Sequence, residues 1–440
     1  MKPKMKVLVT TVHREAIAPT ARFHRREIPT RNSEECFAAA NNIEYINSFT
    51  LPNYATRFLK ANLPSIDVLE YPTLEEYRDA LKNRYDAVGI SFWTYTSWEA
   101  HAMAAMAKEA GVREVWGGGH GTSTPGIAKY FDRVFSGYSE YDLKPLIEGV
   151  ELTDFEHPVL TSVYDYYNMD IKTGYLFSIR GCRMPCTFCS GPNYYKRLDM
   201  TPLDKISSLL DAYRKEGVCH VTVVDETFLQ NARHAKDVIR LLREKEMTWT
   251  CTSRVDRLVG NIADLRAMGL QNVYIGIESL DGVSLDSVKK GIGALQTVAL
   301  LAELEKCGVN AFGTYMVCLE NDSPESVMEN VAKLSAFKAL YSLVFWITTP
   351  FPGTEFYDEM ERDGRLVDKD WKHYDALHLV TRHPRISPHE ARSLLEYCIR
   401  NHCHELNLRK AKILRKWSRY EKQLARSEVT GQAALNVAYD

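Results

Sequence analysis

"SIRGCRMPCTFCS", residues 178–190, carries three of the chain's ten cysteines within eight residues, in the spacing C-x3-C-x2-C. A disulfide would use two of them, and a structural zinc site takes four ligands. Thiolates are the ordinary ligands of iron–sulfur clusters. Three of them on a four-iron cube leave one iron open, and an open coordination position is a place for chemistry. The spacing alone also allows a zinc site completed by a distant His or Cys, or three free thiols. The other seven cysteines (Cys36, Cys219, Cys251, Cys307, Cys318, Cys398 and Cys403) are scattered, most of them in apolar runs, and read as small buried hydrophobes.

The triplet directly follows "YLFSIR" (175–180), the first of six β-rich runs. The others are "HVTVVD" (220–225), "TWTCTS" (248–253), "NVYIGI" (272–277), "NAFGTYMV" (310–317) and "YSLVFWIT" (341–348), with helical stretches such as "PLDKISSLLDAYRKEG" between them. Six β-α units predict a partial (β/α)6 barrel over 173–370, working at the C-terminal ends of its strands. Upstream, "MKVLVTT" (5–11), "SIDVLEY" (65–71), "DAVGIS" (86–91), "REVWGGG" (113–119) and "DRVFSG" (132–137) alternate with helical patterns. That alternation predicts a second α/β unit over 1–150, Rossmann-like or flavodoxin-like, with a parallel sheet between helices. Residues 151–172 show no periodicity and read as a linker. From 371 to 440 the pattern is mostly helical, and it includes the basic amphipathic "NLRKAKILRKWSRYEKQLAR" (407–426). A basic helix of this kind is either a solvated face or a docking site.

The bulk numbers agree with this organisation. At 440 residues the chain is too long for one ordinary core. A net charge of -2 gives no signal for nucleic acid or membrane, and no apolar run approaches the roughly 20 residues that cross a bilayer. The start "MKPKMKVLVTT" has neither a long apolar stretch nor a small-residue cleavage site, so a cytoplasmic location with reduced cysteines is expected.

The residues "CRMPCTFC" (182–189), with the aromatic Phe188 before the last cysteine and their place after the first barrel strand, resemble the signature of the radical S-adenosylmethionine (radical SAM) family. The resemblance implies a 4Fe-4S cluster on Cys182, Cys186 and Cys189. Its open iron would chelate S-adenosylmethionine (SAM), whose cleavage gives a 5′-deoxyadenosyl radical that removes a substrate hydrogen. An electron donor such as ferredoxin or flavodoxin is implied as well. "VVDETFLQN" (223–231) resembles the second-strand motif and puts Asp225 and Glu226 near the SAM amino group. "CTSRVDRL" (251–258) carries Arg254 where it would pair with the SAM carboxylate, and "GIESLD" (276–281) offers Glu278 and Ser279 to the ribose or carboxylate. "MVCLENDSPES" (316–326) departs from a fifth-strand motif usually richer in Gly and Pro, which leaves the adenine contact near Leu319 unassigned. "TPFPGTEFYDEM" (349–360) and "DWKHYD" (370–375) resemble the end of the barrel in one subgroup.

Residues 85–149 resemble the cobalamin-binding domain joined to many radical SAM enzymes. Gly117, Gly118 and Gly119 would let backbone approach a bulky ligand. Ser91, Thr94 and Thr122 offer hydroxyls to a buried nucleotide tail. The lower face of cobalt would be either empty or approached by a residue of the third-strand loop such as Trp93 or Tyr95, with His120 and Gly137 on the neighbouring loops. The D-x-H-x-x-G motif of free-standing cobalamin domains is missing: "TVHREA" (11–16) lacks its acid and its glycine. Together the resemblances imply methyl transfer from cobalamin to an unactivated sp3 carbon, with a second SAM restoring the methyl group. The substrate would be a peptide, a protein or a small molecule; among compact members, some C-methylate a side chain such as a glutamine of methyl-coenzyme M reductase. The alternative is the same architecture using cobalamin without methylation, in a cyclisation, ring contraction or oxidation. A methylthiotransferase would need three further cysteines in the first domain, where only Cys36 lies.

Overall fold

The computed structural model describes residues 5–13, 53–165, 170–399 and 401. Its first sheet consists of Val7–Thr11 (β1), Asp67–Leu69 (β2), Ala87–Ser91 (β3), Glu114–Gly118 (β4) and Arg133–Val134 (β5). All pairings are parallel, in the order β2-β1-β3-β4-β5. β1 is buried along its whole length, as a strand covered by helices on both faces must be. On one side lies the helix Ser97–Glu109, whose Ala100, Met103, Ala104 and Ala107 form a buried stripe. The strand order reverses between β1 and β3, so the crevice for a ligand opens at their C-terminal ends.

Thr161–Asp165 (β6) and Asp170–Leu176 (β7) begin the second half, and Ile179–Arg180 (β8) pairs with Asp199–Met200 (β9) in a small antiparallel ribbon. His220–Val223 (β10), Thr248–Ser253 (β11), Leu270–Glu278 (β12), Asn310–Val317 (β13) and Leu340–Ile347 (β14) complete a seven-stranded sheet in the order β14-β13-β12-β11-β10-β7-β6. Six of its strands are parallel; β6 runs antiparallel on the edge. Val273, Ile275 and Ile277 share one apolar core with Val238, Leu242, Leu300 and Leu304 of the surrounding helices. The alternate positions carry polar groups. Near the strand starts, His220 lies between the Thr248 and Thr250 hydroxyls, Asn272 donates to Thr250, and Asn310 donates to Asn272. At the far ends the same alternation delivers Glu278, Thr314, Met316 and Trp346 to one cavity.

Three expectations are corrected. The stretch 151–172 is not a bare linker: it holds β6 and the start of β7, and Phe155 and Leu160 are buried against Phe58 and Tyr175. A short edge strand leaves too brief a pattern to read. The first barrel strand ends at Leu176 rather than Arg180, because the Asp225 carboxylate accepts hydrogen bonds from the Ser178 and Ile179 amides and takes them out of the ladder. Helix does not start at 371. Beyond a single turn at Trp371–His373 the chain is irregular until 388, where helix runs to 399. Side chains bond the backbone there instead: His383 Nδ1 accepts from Arg385 and Ile386, and Asp375 accepts from Leu377. The basic stretch 407–426 lies outside the described residues.

Candidate functional site

The cysteine loop leaves β8 through Gly181, whose φ is +95°. A side chain there would meet the Arg197 carbonyl at 2.5 Å, so both conformation and space call for glycine. Glu226 accepts the Gly181 amide at 2.8 Å, and Gln230 donates to the Gly181 carbonyl at 2.8 Å. Asp225 is fully buried; it accepts the Ser178 amide at 2.7 Å, the Ser178 hydroxyl at 2.6 Å and the Ile179 amide at 3.0 Å. Burial pushes its carboxyl up to about 8 against the pull of these donors. Asp225, expected at the SAM amino group, instead uses both oxygens to brace the approach to the loop. Glu226 braces the loop's first residue.

The three thiols are unbridged. Cys182 Sγ accepts from the Met184 amide at 3.4 Å, and Cys186 Sγ from Arg254 Nη1 at 3.5 Å. Burial pushes the Cys189 thiol up to about 11. Among the described residues no three His, Cys, Asp or Glu side chains converge on a point that would hold one metal ion. Three thiols carried on one loop are a donor set that suits an iron–sulfur cluster. The loop is pinned by its backbone, with Thr187 donating to the Val288 carbonyl and Phe356 donating to that of Thr187. Phe188 packs on Val288, Met316 and Leu319.

Arg254 and Glu278 come to the same place. Arg254 is buried and donates to Asp256 Oδ1 at 2.8 Å, to the Lys290 carbonyl at 2.6 Å and to Cys186. Glu278 ends β12 with φ +64°, a conformation that a residue of its size rarely adopts. Its carboxylate pairs with Lys290 Nζ at 2.8 Å and accepts from Thr314 Oγ1 at 3.1 Å. Gly276 makes the room: a Cβ there would lie 2.3 Å from Glu278 Oε1 and 2.6 Å from Lys290 Nζ. Ser279, by contrast, is fully buried, and its hydroxyl accepts the Asp281 amide in a turn.

A cavity of about 330 Å³ joins the two halves of the chain. Trp93, Thr94, Tyr95 and His120 reach it from the loops after β3 and β4; Phe188, Ser190, Glu278 and Met316 reach it from the second half. His120 bridges the halves, with Nδ1 3.0 Å from Ser190 Oγ and its ring stacked between Trp93 at 4.9 Å and Tyr194 at 4.0 Å. Burial lowers its pKa to about 4, so it is a neutral imidazole. The remaining predicted residues divide. A side chain on Gly119 would strike the Phe92 carbonyl at 2.6 Å, one on Gly117 the Phe131 ring at 3.1 Å and one on Gly137 the Tyr194 carbonyl at 3.1 Å. These three glycines admit protein neighbours. Only Gly118 faces open space, with Ile90 O at 3.9 Å as its sole neighbour. Thr122 donates to the Gly119 carbonyl at 2.8 Å, and Ser91 stands at the end of β3 beside Gly119; neither lines the cavity.

Lys290, Thr314, Trp346 and Tyr374 also belong to the site, although no sequence motif assigns them to it. Lys290 is the partner of Glu278, twelve residues away, and no local pattern marks it. Tyr374 falls within the quoted "DWKHYD", where the motif was seen but its place against the cavity was not.

Residues 176–334 match the Radical SAM superfamily. The chain is 25% identical to an uncharacterized methyltransferase of Pyrococcus horikoshii, covering 70% of this chain and 77% of that protein. It is 24% identical to a bacteriochlorophyllide d C-8(2)-methyltransferase of Chlorobaculum tepidum, covering 69% and 74%. Among solved structures, TsrM of Kitasatospora setae, a radical SAM methyltransferase with cobalamin and a [4Fe-4S] cluster bound, has a similar fold at TM-score 0.59 and 15% identity, covering 82% of this chain and 78% of that one. The cobalamin-dependent radical enzyme OxsB, with cobalamin and SAM bound, gives TM-score 0.62 at 14% identity, covering 90% and 66%.

Proposed function

We propose, from the premise that residues 176–334 are a radical SAM domain, that this chain is a cobalamin-dependent radical SAM methyltransferase acting on an unactivated sp3 carbon. The observation that carries the reading is the single cavity reached both by the loops after β3 and β4 and by the cysteine loop. The two methyltransferase relatives and the two cobalamin-bound folds support it. Cys182, Cys186 and Cys189 would hold a 4Fe-4S cluster, and the loops carrying Trp93, Thr94, Tyr95, Gly118 and His120 would hold cobalamin. When bound, the cluster with SAM supplies the means of taking a hydrogen atom from carbon, and cobalamin supplies the methyl group.

The chain's own residues prepare that chamber. Asp225, Glu226 and Gln230 fix the backbone that leads into the cysteines. Glu278 offers a carboxylate at the cavity wall, its charge balanced by Lys290 and its orientation set by Thr314. Phe188, Trp346, Phe351 and Tyr374 line the space with aromatic rings. His120, neutral and anchored to Ser190, adds a polar edge without a charge. The substrate belongs to the same proposal: a small molecule or a protein side chain such as a glutamine of methyl-coenzyme M reductase. The test is incubation of full-length protein with SAM, cobalamin and a reductant. The reading expects 5′-deoxyadenosine and S-adenosylhomocysteine together with a methylated substrate; 5′-deoxyadenosine without any methyl transfer to the substrate would favour a non-methylating radical reaction.

A further inference from the structure

We infer that Arg254 serves the cluster rather than the cosubstrate: its guanidinium donates a hydrogen bond to a cluster thiolate and thereby sets how readily the cluster accepts an electron. The inference rests on the reading that Cys182, Cys186 and Cys189 hold a 4Fe-4S cluster. Arg254 follows β11 and is 8% exposed, so little water competes for its donors. Each of its nitrogens has a partner: Nε the Asp256 carboxylate at 2.8 Å, Nη2 the Lys290 carbonyl at 2.6 Å, and Nη1 the Cys186 sulfur at 3.5 Å.

The guanidinium is a rigid planar fork. With Nε and Nη2 anchored on opposite partners, the direction of Nη1 is fixed, and it points at the sulfur. A carboxylate clamp needs two neighbouring N–H groups turned the same way. Neither edge of this fork offers that: one is divided between Asp256 and Lys290, the other between Lys290 and Cys186. The second nearby cation, Lys290, is already balanced by Glu278 at 2.8 Å, which leaves Arg254 as the cationic donor aimed at a thiolate. One-electron reduction adds negative charge to a cluster, so a cationic donor on its sulfur favours the reduced form and raises the potential.

The test uses full-length wild type, Arg254→Lys and Arg254→Gln, with the cluster reconstituted anaerobically. The reduction potential is read by mediated titration with electron paramagnetic resonance, first without SAM, and SAM affinity is measured separately on the same preparations. We expect a more negative potential in Arg254→Gln and a smaller shift of the same sign in Arg254→Lys, with SAM affinity held within about threefold. An unchanged potential with SAM affinity down about tenfold or more would make Arg254 a carboxylate clamp and overturn the inference. If Arg254→Gln takes up no cluster, Arg254→Lys decides between the two. A wild type that takes up neither iron nor sulfide would instead sink the proposed function, so the two failures are distinct.

Discussion

At the scale of single residues, the contrast between the cysteines and Asp225 is instructive. Cys182, Cys186 and Cys189 are close in sequence, so their partnership could be read before any fold was known. Asp225 sits where an acid at a strand end suggests a ligand, but spacing does not say where a carboxylate points, and here it points at Ser178 and Ile179. Removing it leaves three buried donors unpaired. Asp225→Ala should cost about 3 kcal/mol, measured by chemical denaturation, and should lower iron and sulfide uptake because the approach to the loop is no longer held. A variant with wild-type stability and full uptake would show that the brace is dispensable. The Glu278–Lys290 pair is a different case: its members are separated in sequence and joined only by the bulged end of β12, which no linear pattern announces.

At the scale of elements, continuous apolar runs and helix stripes were legible because burial on both faces of a sheet leaves a mark in composition. "NAFGTYMV" and "TWTCTS" coincide with β13 and β11. What stayed hidden was where side chains end a strand early, as at Leu176, or substitute for a helix, as between 374 and 387. The glycine run after β4 was visible, but its members have different tasks. Gly119→Ala should destabilise the first half by about 2 kcal/mol, because φ +86° and the Phe92 carbonyl both oppose a side chain; thermal unfolding reads it. Gly118→Val meets only open space, so stability and cluster content should hold while cobalamin retention falls. Equal cobalamin retention in Gly118→Val would remove this glycine from the proposed site.

At the scale of the whole molecule, a buried cation helps to fasten the halves. Arg180 donates to Glu140 of the first half at 2.5 Å and to Asp199 of the second at 2.8 Å, with the rings of Tyr138 and Phe155 beside its guanidinium. Arg180→Met would strand the buried Glu140 carboxylate and leave Asp199 to Arg197 alone, and removal of one partner from such a network costs about 3–5 kcal/mol. Unfolding should split into two transitions as the halves uncouple; a single unshifted transition would contradict this role.

Proton linkage gives a second whole-molecule test. Burial depresses His157 to about 4, where Nε2 accepts the Phe177 amide and Nδ1 faces the Pro158 carbonyl. A depressed histidine binds fewer protons folded than unfolded, so its contribution is complete above about 6.5 and fades as pH falls toward 4. Asp225 acts in the opposite sense: its raised carboxyl favours the folded state below about 4, and that advantage is lost as pH rises toward 8. The stability gap between wild type and His157→Gln should therefore narrow on acidification from pH 7.5 to 5. A gap that stays constant would mean that folding leaves the His157 pKa unshifted.

The most direct test of the central claim is the cofactor content and visible spectrum of the full-length protein purified without oxygen and offered iron, sulfide and cobalamin. That protein should hold iron and sulfide in equal amounts and retain a corrinoid on the same chain, and it should lose the iron but not the corrinoid when Cys182, Cys186 and Cys189 are all changed to Ala. A colourless protein holding zinc, with neither sulfide nor corrinoid, would contradict that claim.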